Sequence, residues 1–212
     1  IQNCYSEAES SFNQQLHFHD FYELSLIYEG SSRFLINGSS FVAAAGSLQL
    51  IRPSDYHRQM TDTGEYIRYY NLIFRQEVLS NVLLDALEEV VEPFCFQMQE
   101  KEMQKMTQLL LELKREQEEK EAFWEKMSAD LIEKICILIL RKSPKKRQAK
   151  EEEIPEAVRR SLVFVRQHYR EKIRLSDAAQ KAGLSESYFS SVFHACMGVT
   201  FSEYMLNYRL SL

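Results

Sequence analysis

The chain has 212 residues, 45% of them hydrophobic, and a formal net charge of −5 at pH 7; this size allows one ordinary core or two modest domains with a connector. No run approaches the roughly 20 apolar residues of a membrane span, and the first residues lack the basic region and apolar core of a signal peptide, so we expect a soluble cytoplasmic protein. The four cysteines lie far apart without CxxC spacing, which argues against a cysteine zinc site or a redox motif.

Residues 1–98 are predicted to form a small antiparallel β-barrel. Apolar side chains alternate or cluster in short runs at 21–28, 33–36, 47–51 and 66–74. Turn-forming residues separate the runs at 29–30, 37–38, 46, 53–55 and 62–64, and Asn37-Gly38 between two runs is a strong hairpin signal. Strands this short at this spacing are typical of a sandwich or barrel.

Polar side chains in this region form a candidate binding site. His17, His19 and Glu23 share strand parity, so they would lie on one face, and His57 from a neighbouring strand could complete a set of three histidines and one carboxylate. Such a set can hold zinc, iron or manganese, can line a small-molecule pocket, or can form structural hydrogen bonds. Arg33, Arg52 and Tyr70 are further candidate lining residues, and each could equally lie on the outside.

A helical pair is predicted over residues 99–140, after a weaker helical pattern at 77–91. Residues 114–121 are polar enough to be a connection or an exposed helix. The two apolar stripes are Met103, Met106, Leu110 and Leu113, and then Trp124, Met127, Leu131, Ile135 and Leu138. The pair could pack only on its own barrel or could also contact a second subunit, and we favour a homodimer through these helices.

Residues 141–155 form a charge run between prolines, with no apolar periodicity. This pattern predicts a solvated linker. Contact of its basic half with nucleic acid is the alternative.

Residues 156–212 are predicted to be all-α. After a first amphipathic helix, Ser176 can cap a short helix at 177–181, which Gly183 ends by adopting a positive φ. Ser185 can cap the next helix, from 186 to about 197. The small side chain of Ala179 lets two helices joined by so short a turn cross closely.

The second of these helices has an inner and an outer face. Phe189, Val192 and Phe193 are expected to face inward. The outer face, where a helix-turn-helix presents side chains to the major groove, would carry Glu186, Ser187, Ser190, Ser191 and His194. Residues 154–212 hold 8 basic and 5 acidic side chains, a balance compatible with phosphate binding. By pattern alone, a helical hairpin without a DNA role fits equally well.

The stretch 173–209 resembles the first helix-turn-helix of the AraC family. The resemblance is carried by Ala179, Gly183-Leu184-Ser185, Tyr188-Phe189, Phe193, Gly198 and Phe201. It implies a transcription regulator that binds double-stranded DNA. Ser187, Ser190 and Ser191 would then face the bases, and Tyr188 would pack against the neighbouring helix. Members of the family carry a second helix-turn-helix unit after a joining helix. Leu212, the last residue of this sequence, falls within that joining helix. We therefore expect a truncated chain that binds DNA weakly unless dimerised.

The segment from His17 to Gly30 resembles the first cupin motif, and residues 46–57 resemble a degenerate second one with Arg52 and Ser54 in place of proline and glycine. The expected fold is α+β multidomain: a cupin-like antiparallel barrel, a helical pair and an all-α helix-turn-helix subdomain. The AraC resemblance favours an effector pocket, with a sugar as a family-level expectation, over a metal, and we predict no cofactor and no enzymatic activity. The alternative is a metal-dependent cupin enzyme with a helical appendage.

Overall fold

A computed structural model describes residues 4–10, 14, 17–37, 39–53, 55–63, 65–90, 93–142 and 155–210. The strands are β1 (Cys4–Ser10), β2 (Tyr22–Ile36), β3 (Ser39–Ala44), β4 (Ser47–Ile51), β5 (His57–Met60), β6 (Ile67–Phe74) and β7 (Phe94–Gln97). The helices are α1 (Asn81–Glu89), α2 (Glu100–Glu119), α3 (Trp124–Lys142), α4 (Glu156–His168), α5 (Leu175–Ala182), α6 (Glu186–Met197) and α7 (Phe201–Leu210). Across these ranges, none of the helices combines the length and apolar character that a membrane crossing requires.

The strands form an antiparallel, barrel-like sheet in the order β1-β6-β2-β4-β7, and β3 and β5 both pair with the second half of β2. This confirms the predicted antiparallel architecture. The predicted break at residues 29–30 is wrong, because β2 runs through it with a register shift between Ile27 and Glu29. Gly30 allows this path: its φ is +80°, and a Cβ atom there would lie 2.0 Å from the Tyr66 carbonyl oxygen.

The sheet has a helix-facing side and an inner side. Leucines that alternate along β2, β4 and β6 pack against α2 and α3 on the first side; they include Leu24, Leu26, Leu48, Leu50 and Leu72. A smaller apolar cluster lies on the inner side and includes Ile27, Phe34, Ile36, Ala43, Ile51 and Ile67. The alternation of β-strand side chains therefore separates the helix contact from the inner face.

The predicted helical pair is α2 and α3, and both helices pack on the sheet. The connection lies at residues 120–123, so residues 114–119 belong to α2. In α3, Leu131 and Ile135 of the predicted stripe are buried, but Met127 is 43% exposed. Ile132, Cys136 and Ile139 are buried as well, so the buried face is wider than the predicted stripe and extends to its neighbouring positions.

The predicted linker at 141–155 overlaps regular structure at its N-terminal end. Arg141 and Lys142 belong to α3, and Pro155 directly precedes α4. Residues 143–154 lie outside the described residues, so the linker itself stays a prediction. Ser54, which departs from the cupin pattern, and Gly38 of the predicted hairpin also lie outside them.

Helices α4 to α7, here named the head, surround a core of their own. Phe189, Phe193 and Phe201 meet at ring-centroid distances of 5.5 to 5.7 Å. Gly183 ends α5 at φ +73°, as the sequence predicts. The predicted cap of α5 is wrong: the helix begins at Leu175, and the N–H of Arg174 donates to Asp177 at 2.8 Å.

Candidate functional site

One histidine, one carboxylate and a second histidine converge on the inner side of the sheet. His19 Nε2 lies 3.1 Å from Glu23 Oε2, and His57 Nε2 lies 3.9 Å from the same oxygen. The three ligand atoms are all within 4.8 Å of one another. His19 precedes β2, Glu23 lies at its start and His57 starts β5, so two backbone segments supply the group, here named the histidine cluster.

Hydrogen bonds on the far side of each ring set the direction of the two imidazoles. His19 Nδ1 donates to the carbonyl of Phe21 at 2.8 Å, and His57 Nδ1 donates to the carbonyl of Asp55 at 2.8 Å. A carbonyl only accepts, so Nδ1 carries a hydrogen in both rings. Both Nε2 atoms therefore face Glu23, an arrangement that could hold a divalent metal ion or the polar groups of a small molecule.

The protonation of the cluster follows from burial and hydrogen bonding. Burial lowers the pKa of His57 to about 4, so this ring is neutral at pH 7. Burial acts to raise the pKa of the Glu23 carboxyl, but the hydrogen bonds from His19 and Asn71 outweigh it and hold that pKa below its usual value. The cluster thus combines a neutral imidazole with an ionised carboxylate.

A row of polar side chains continues from Glu23 across the inner face. Asn71 Nδ2 donates to Glu23 Oε1 at 3.0 Å, and Ser25 Oγ donates to Asn71 Oδ1 at 3.2 Å. Gln49 pairs in register with Ser25 and is fully buried. Among the described residues, neither polar atom of the Gln49 amide has a hydrogen-bond partner. Buried polar groups normally make hydrogen bonds, so this amide is an exception on the inner face.

The loop before His57 is held by a buried network. Asp55 accepts from Arg52 Nε at 3.1 Å and from Asn37 Nδ2 at 2.7 Å. Arg52 also donates to the carbonyl of Leu87 at 3.1 Å and to that of Val90, beyond the end of α1. The position of His57 therefore depends on a salt bridge that is 1% and 0% exposed at its two side chains.

The structure separates the predicted site residues. The His17 ring lies 4.3 Å from that of His57, beside the cluster rather than among its three ligand atoms. Arg52 is corrected to a structural role, since its buried charge needs Asp55. Arg33 is exposed and pairs with Asp62, so it does not line the inner face. Tyr70 packs on the helix-facing side, because it alternates with Asn71 along β6.

The outer face of α6 carries the five residues predicted to meet DNA. Four of them are exposed and Ser190 is half-buried, while Phe189 and Phe193 are buried on the opposite face. Ser185 caps the helix by accepting from the N–H of Tyr188 at 3.4 Å. Ser191 Oγ donates to the carbonyl of Ser187 at 3.1 Å.

Tyr188 departs from the sequence prediction. It was expected to pack against the neighbouring helix, but its side chain is 60% exposed. Tyr188 directly precedes the buried Phe189. Successive residues of an α-helix point about 100° apart, so the Tyr188 side chain points toward solvent. Tyr188 therefore extends the outer face of α6 by an aromatic ring with a hydroxyl group.

The barrel and the head touch through aromatic side chains. Tyr56 is 3% exposed and belongs to the core of the head, with its ring 5.7 Å from that of Tyr204 in α7. Phe18 packs on Tyr56 at 5.1 Å. A second contact joins α7 to α1, where Tyr208 Oη donates to Glu88 at 3.2 Å.

Sequence reasoning missed Asn71, Gln49, Phe18 and Tyr56. The two amides had a signal, because each interrupts an otherwise apolar strand and so marks a polar inner face. The signal for the two aromatic residues was weaker. Each directly neighbours a candidate histidine in sequence, and because side chains alternate along a strand, it would point to the face opposite that histidine.

Two family models match the chain. The AraC-like ligand binding domain matches residues 4–133, and the bacterial regulatory helix-turn-helix proteins of the AraC family match residues 165–206. The first match covers more than half of the chain, and the second contains α5 and α6.

Similar proteins were found among curated sequences and solved structures. The HTH-type transcriptional regulator YfiF of Bacillus subtilis (strain 168) is 22% identical over 206 residues, which are 94% of this chain and 66% of that protein, so the chain spans just under two thirds of this relative. ToxT from Vibrio cholerae strain SCE256 with bound unsaturated fatty acid aligns over 99% of this chain and 78% of that chain, at 13% identity and TM-score 0.44. The AraC-like transcriptional activator CuxR aligns over 91% and 66%, at 13% identity and TM-score 0.42.

Proposed function

Because this chain belongs to the AraC family of bacterial transcription regulators, we propose that it controls transcription in response to a small ligand bound on the inner face of its barrel. Ligand binding changes how the head meets promoter DNA. The rival prediction, a metal-dependent cupin enzyme, accounts for the histidines but leaves the helix-turn-helix match at residues 165–206 without a role.

The observation that carries this proposal is the back-to-back placement of Tyr56 and His57. His57 turns toward Glu23 in the histidine cluster, and the preceding Tyr56 turns toward Tyr204 in the core of the head. One backbone segment therefore contacts both the ligand site and the DNA-binding unit.

A second segment, at His17 and Phe18, is bound to the first. His17 and His57 exchange backbone hydrogen bonds of 3.0 and 2.9 Å, and Phe18 packs on Tyr56. A ligand that pulls His19 and His57 together would displace both aromatic side chains against α7. Such a displacement regulates DNA binding if the ligand prefers one arrangement of the head over the other.

In this proposal α6 reads DNA through Ser187, Ser190 and Ser191, with Glu186 and His194 at the edges of the contact. Serine hydroxyls bond to several base edges, so they specify sequence less sharply than arginine or asparagine. The exposed ring of Tyr188 adds a further group on this face.

A homodimer through α2 and α3 stays part of the proposal. Most apolar side chains of both helices are buried against the sheet, which leaves a narrower surface than the sequence suggested. Leu111, Phe123 and Met127 are 46%, 82% and 43% exposed and are the apolar groups available for such a contact. Sedimentation of Leu111→Glu against the parent chain tests it, and an unchanged oligomeric state would remove these helices from the interface.

The DNA-binding part is tested by a mobility-shift titration of the full chain on DNA from upstream of its own gene and on a scrambled duplex of equal composition. We expect selective binding that weakens with added salt. Ser187→Glu should weaken it at least tenfold by charge repulsion, whereas Ser40→Glu adds the same charge on an exposed barrel position and should not. Equal binding to both duplexes at every salt concentration would overturn the proposal.

A further inference from the structure

A cavity of about 620 Å³ lies between the barrel and the head, on the helix-facing side of the sheet. Tyr22 at the start of β2, residues 76–79 and one side of α1 form its barrel wall, and Tyr169 and Arg170, just beyond α4, form its head wall. We propose that this cavity, here named the interdomain cavity, binds a small organic polycation of the aliphatic polyamine class. The proposal goes beyond the ligand response above, because it concerns a second site with different chemistry.

Three carboxylates give the interdomain cavity a negative wall. They belong to Glu77, Asp85 and Glu88, and among the described lining residues Arg170 is the only cation. Asp85 and Glu88 are three positions apart on α1, so they lie on one face of that helix. Within the described part of the chain, none of the three carboxylates forms a salt bridge. A cleft whose walls carry mostly one sign of charge concentrates ligands of the opposite sign.

The hydroxyl of Tyr22 adds a buried polar group to the same cavity. Tyr22 is 1% exposed and lines the cavity, and its ring stacks on Phe74 at 5.1 Å. Its hydroxyl makes no hydrogen bond to any described residue. Burial raises the pKa of this phenol, and the charge of Glu88 acts in the same direction, so the group keeps its proton. A buried polar group without a partner costs free energy, and an ammonium group of a ligand would donate to the phenol oxygen.

The placement of the carboxylates favours an extended organic cation over a metal ion. In the part of the chain that the structure describes, only the histidine cluster brings three metal-ligating groups together. The carboxylates of the interdomain cavity therefore do not converge on one point, whereas an aliphatic chain with several ammonium groups can meet them separately. The volume of about 620 Å³ lies within the roughly 300–1,000 Å³ typical of small-molecule sites.

The head side of the cavity is linked to α1 through α7. The ring of Tyr169 lies 5.7 Å from that of Tyr208, whose hydroxyl donates to Glu88 at 3.2 Å. The guanidinium of Arg170 lies 5.2 Å from the centre of the Tyr169 ring, so its positive charge opposes a cationic ligand at this edge. A polycation in the cavity contacts α1 and the head at once and should favour their docked arrangement.

The test is a calorimetric titration of the full chain with spermidine, a linear polyamine, and with adipate, a dianion. We expect saturable binding of one spermidine per chain and no binding of adipate. Asp85→Asn removes one charge of the wall and should weaken binding about fivefold. Glu89→Gln is the matched control, because it removes an equal charge from an exposed position of α1 that does not line the cavity. Arg170→Gln removes the opposing charge and should tighten binding about threefold.

Tyr22→Phe separates the cavity from binding by surface charge alone. This variant keeps the aromatic ring and removes only the hydroxyl, so it should weaken spermidine binding about tenfold. Spermidine held by surface charge would not respond to it. Thermal unfolding shows whether each variant is folded, and Asp85→Asn keeps the test valid if Tyr22→Phe is unstable, because Asp85 is exposed.

Two results would overturn the proposal: absence of saturable spermidine binding, or equal affinity in the parent chain and folded Asp85→Asn. Amide hydrogen exchange tests the contact with both regions, since bound spermidine should slow exchange in α1 and α7 together. Slowing in α1 alone would contradict a site shared with the head. These measurements involve neither DNA nor the inner face of the barrel, so their outcome is independent of the proposed function.

Discussion

The histidine cluster and the outer face of α6 are built in opposite ways. The cluster joins residues from separate segments of the chain, and a buried network of Asn37, Arg52 and Asp55 holds one of its loops. The α6 face is a row of exposed side chains on one helix, while Phe189 on the opposite side does the packing. A substitution near the cluster should therefore change stability together with ligand binding, and one on α6 should change binding alone.

The largest difference is expected between a buried and an exposed ion pair of the barrel. Asp55→Ala leaves the fully buried Arg52 guanidinium without its partner and should destabilise the fold by about 3–5 kcal/mol. Asp62→Ala breaks the exposed pair with Arg33 and should cost about 0–1 kcal/mol. Urea unfolding followed by circular dichroism measures both. Similar losses in the two variants would show that the Asp55 network does not hold the loop.

Two glycines with nearly equal φ angles, one in the barrel and one in the head, provide the next comparison. Gly30 in the barrel has φ +80° and Gly183 in the head has φ +73°. A Cβ atom at Gly30 would meet the Tyr66 carbonyl oxygen at 2.0 Å, whereas one at Gly183 would meet nothing within 4 Å. Gly30→Ala should therefore destabilise by roughly 3 kcal/mol and Gly183→Ala by about 1 kcal/mol, the cost of a left-handed conformation alone. Equal unfolding midpoints would contradict this assignment.

The contact between barrel and head should give an intermediate effect. Tyr56→Ala removes the ring that packs on Tyr204 and should weaken docking of the head by about 2 kcal/mol. Amide hydrogen exchange in α7 should then become about 30-fold faster. Tyr188→Ala removes a tyrosine that is 60% exposed and should leave this exchange unchanged. If α7 exchanges equally fast in both variants, Tyr56 does not couple the two regions.

The head could be predicted well from sequence because its information is local. The caps, the turn glycine and the two faces of α6 depend on residues within about four positions of one another. The one misplaced cap, Ser176 instead of the Arg174–Asp177 pair, was an error of two residues. The direction of Tyr188 was predicted wrongly because it was taken from the resemblance to the AraC family and not from the periodicity of the helix.

The barrel site could be predicted only in part, because strand pairing decides which side chains meet. The structure brings His19 close to Glu23, but His19 precedes β2, so the strand parity used in the prediction does not account for it. Nor could the sequence show that Asn71 lies beside Glu23, since that depends on the register between β2 and β6. Arg52 was predicted to line a pocket because the degenerate second cupin motif does not reveal that this arginine is buried in a salt bridge with Asp55. The contact of Tyr56 with Tyr204 lies beyond any local pattern, as the two residues belong to different domains.

The smallest expected effects separate stability from DNA binding within the head. Ser185 accepts from the Tyr188 N–H at a long 3.4 Å, so Ser185→Ala should cost only about 0.5–1 kcal/mol of stability. It should not alter DNA affinity while the chain remains folded. Ser187→Ala removes an exposed hydroxyl and should change stability by less than about 0.5 kcal/mol, yet weaken binding to the upstream duplex about fivefold. Thermal unfolding and fluorescence anisotropy on the same samples measure the two quantities. Should DNA affinity follow stability in both variants, α6 would be a structural helix like those under the barrel, and the contrast between the two regions would not hold.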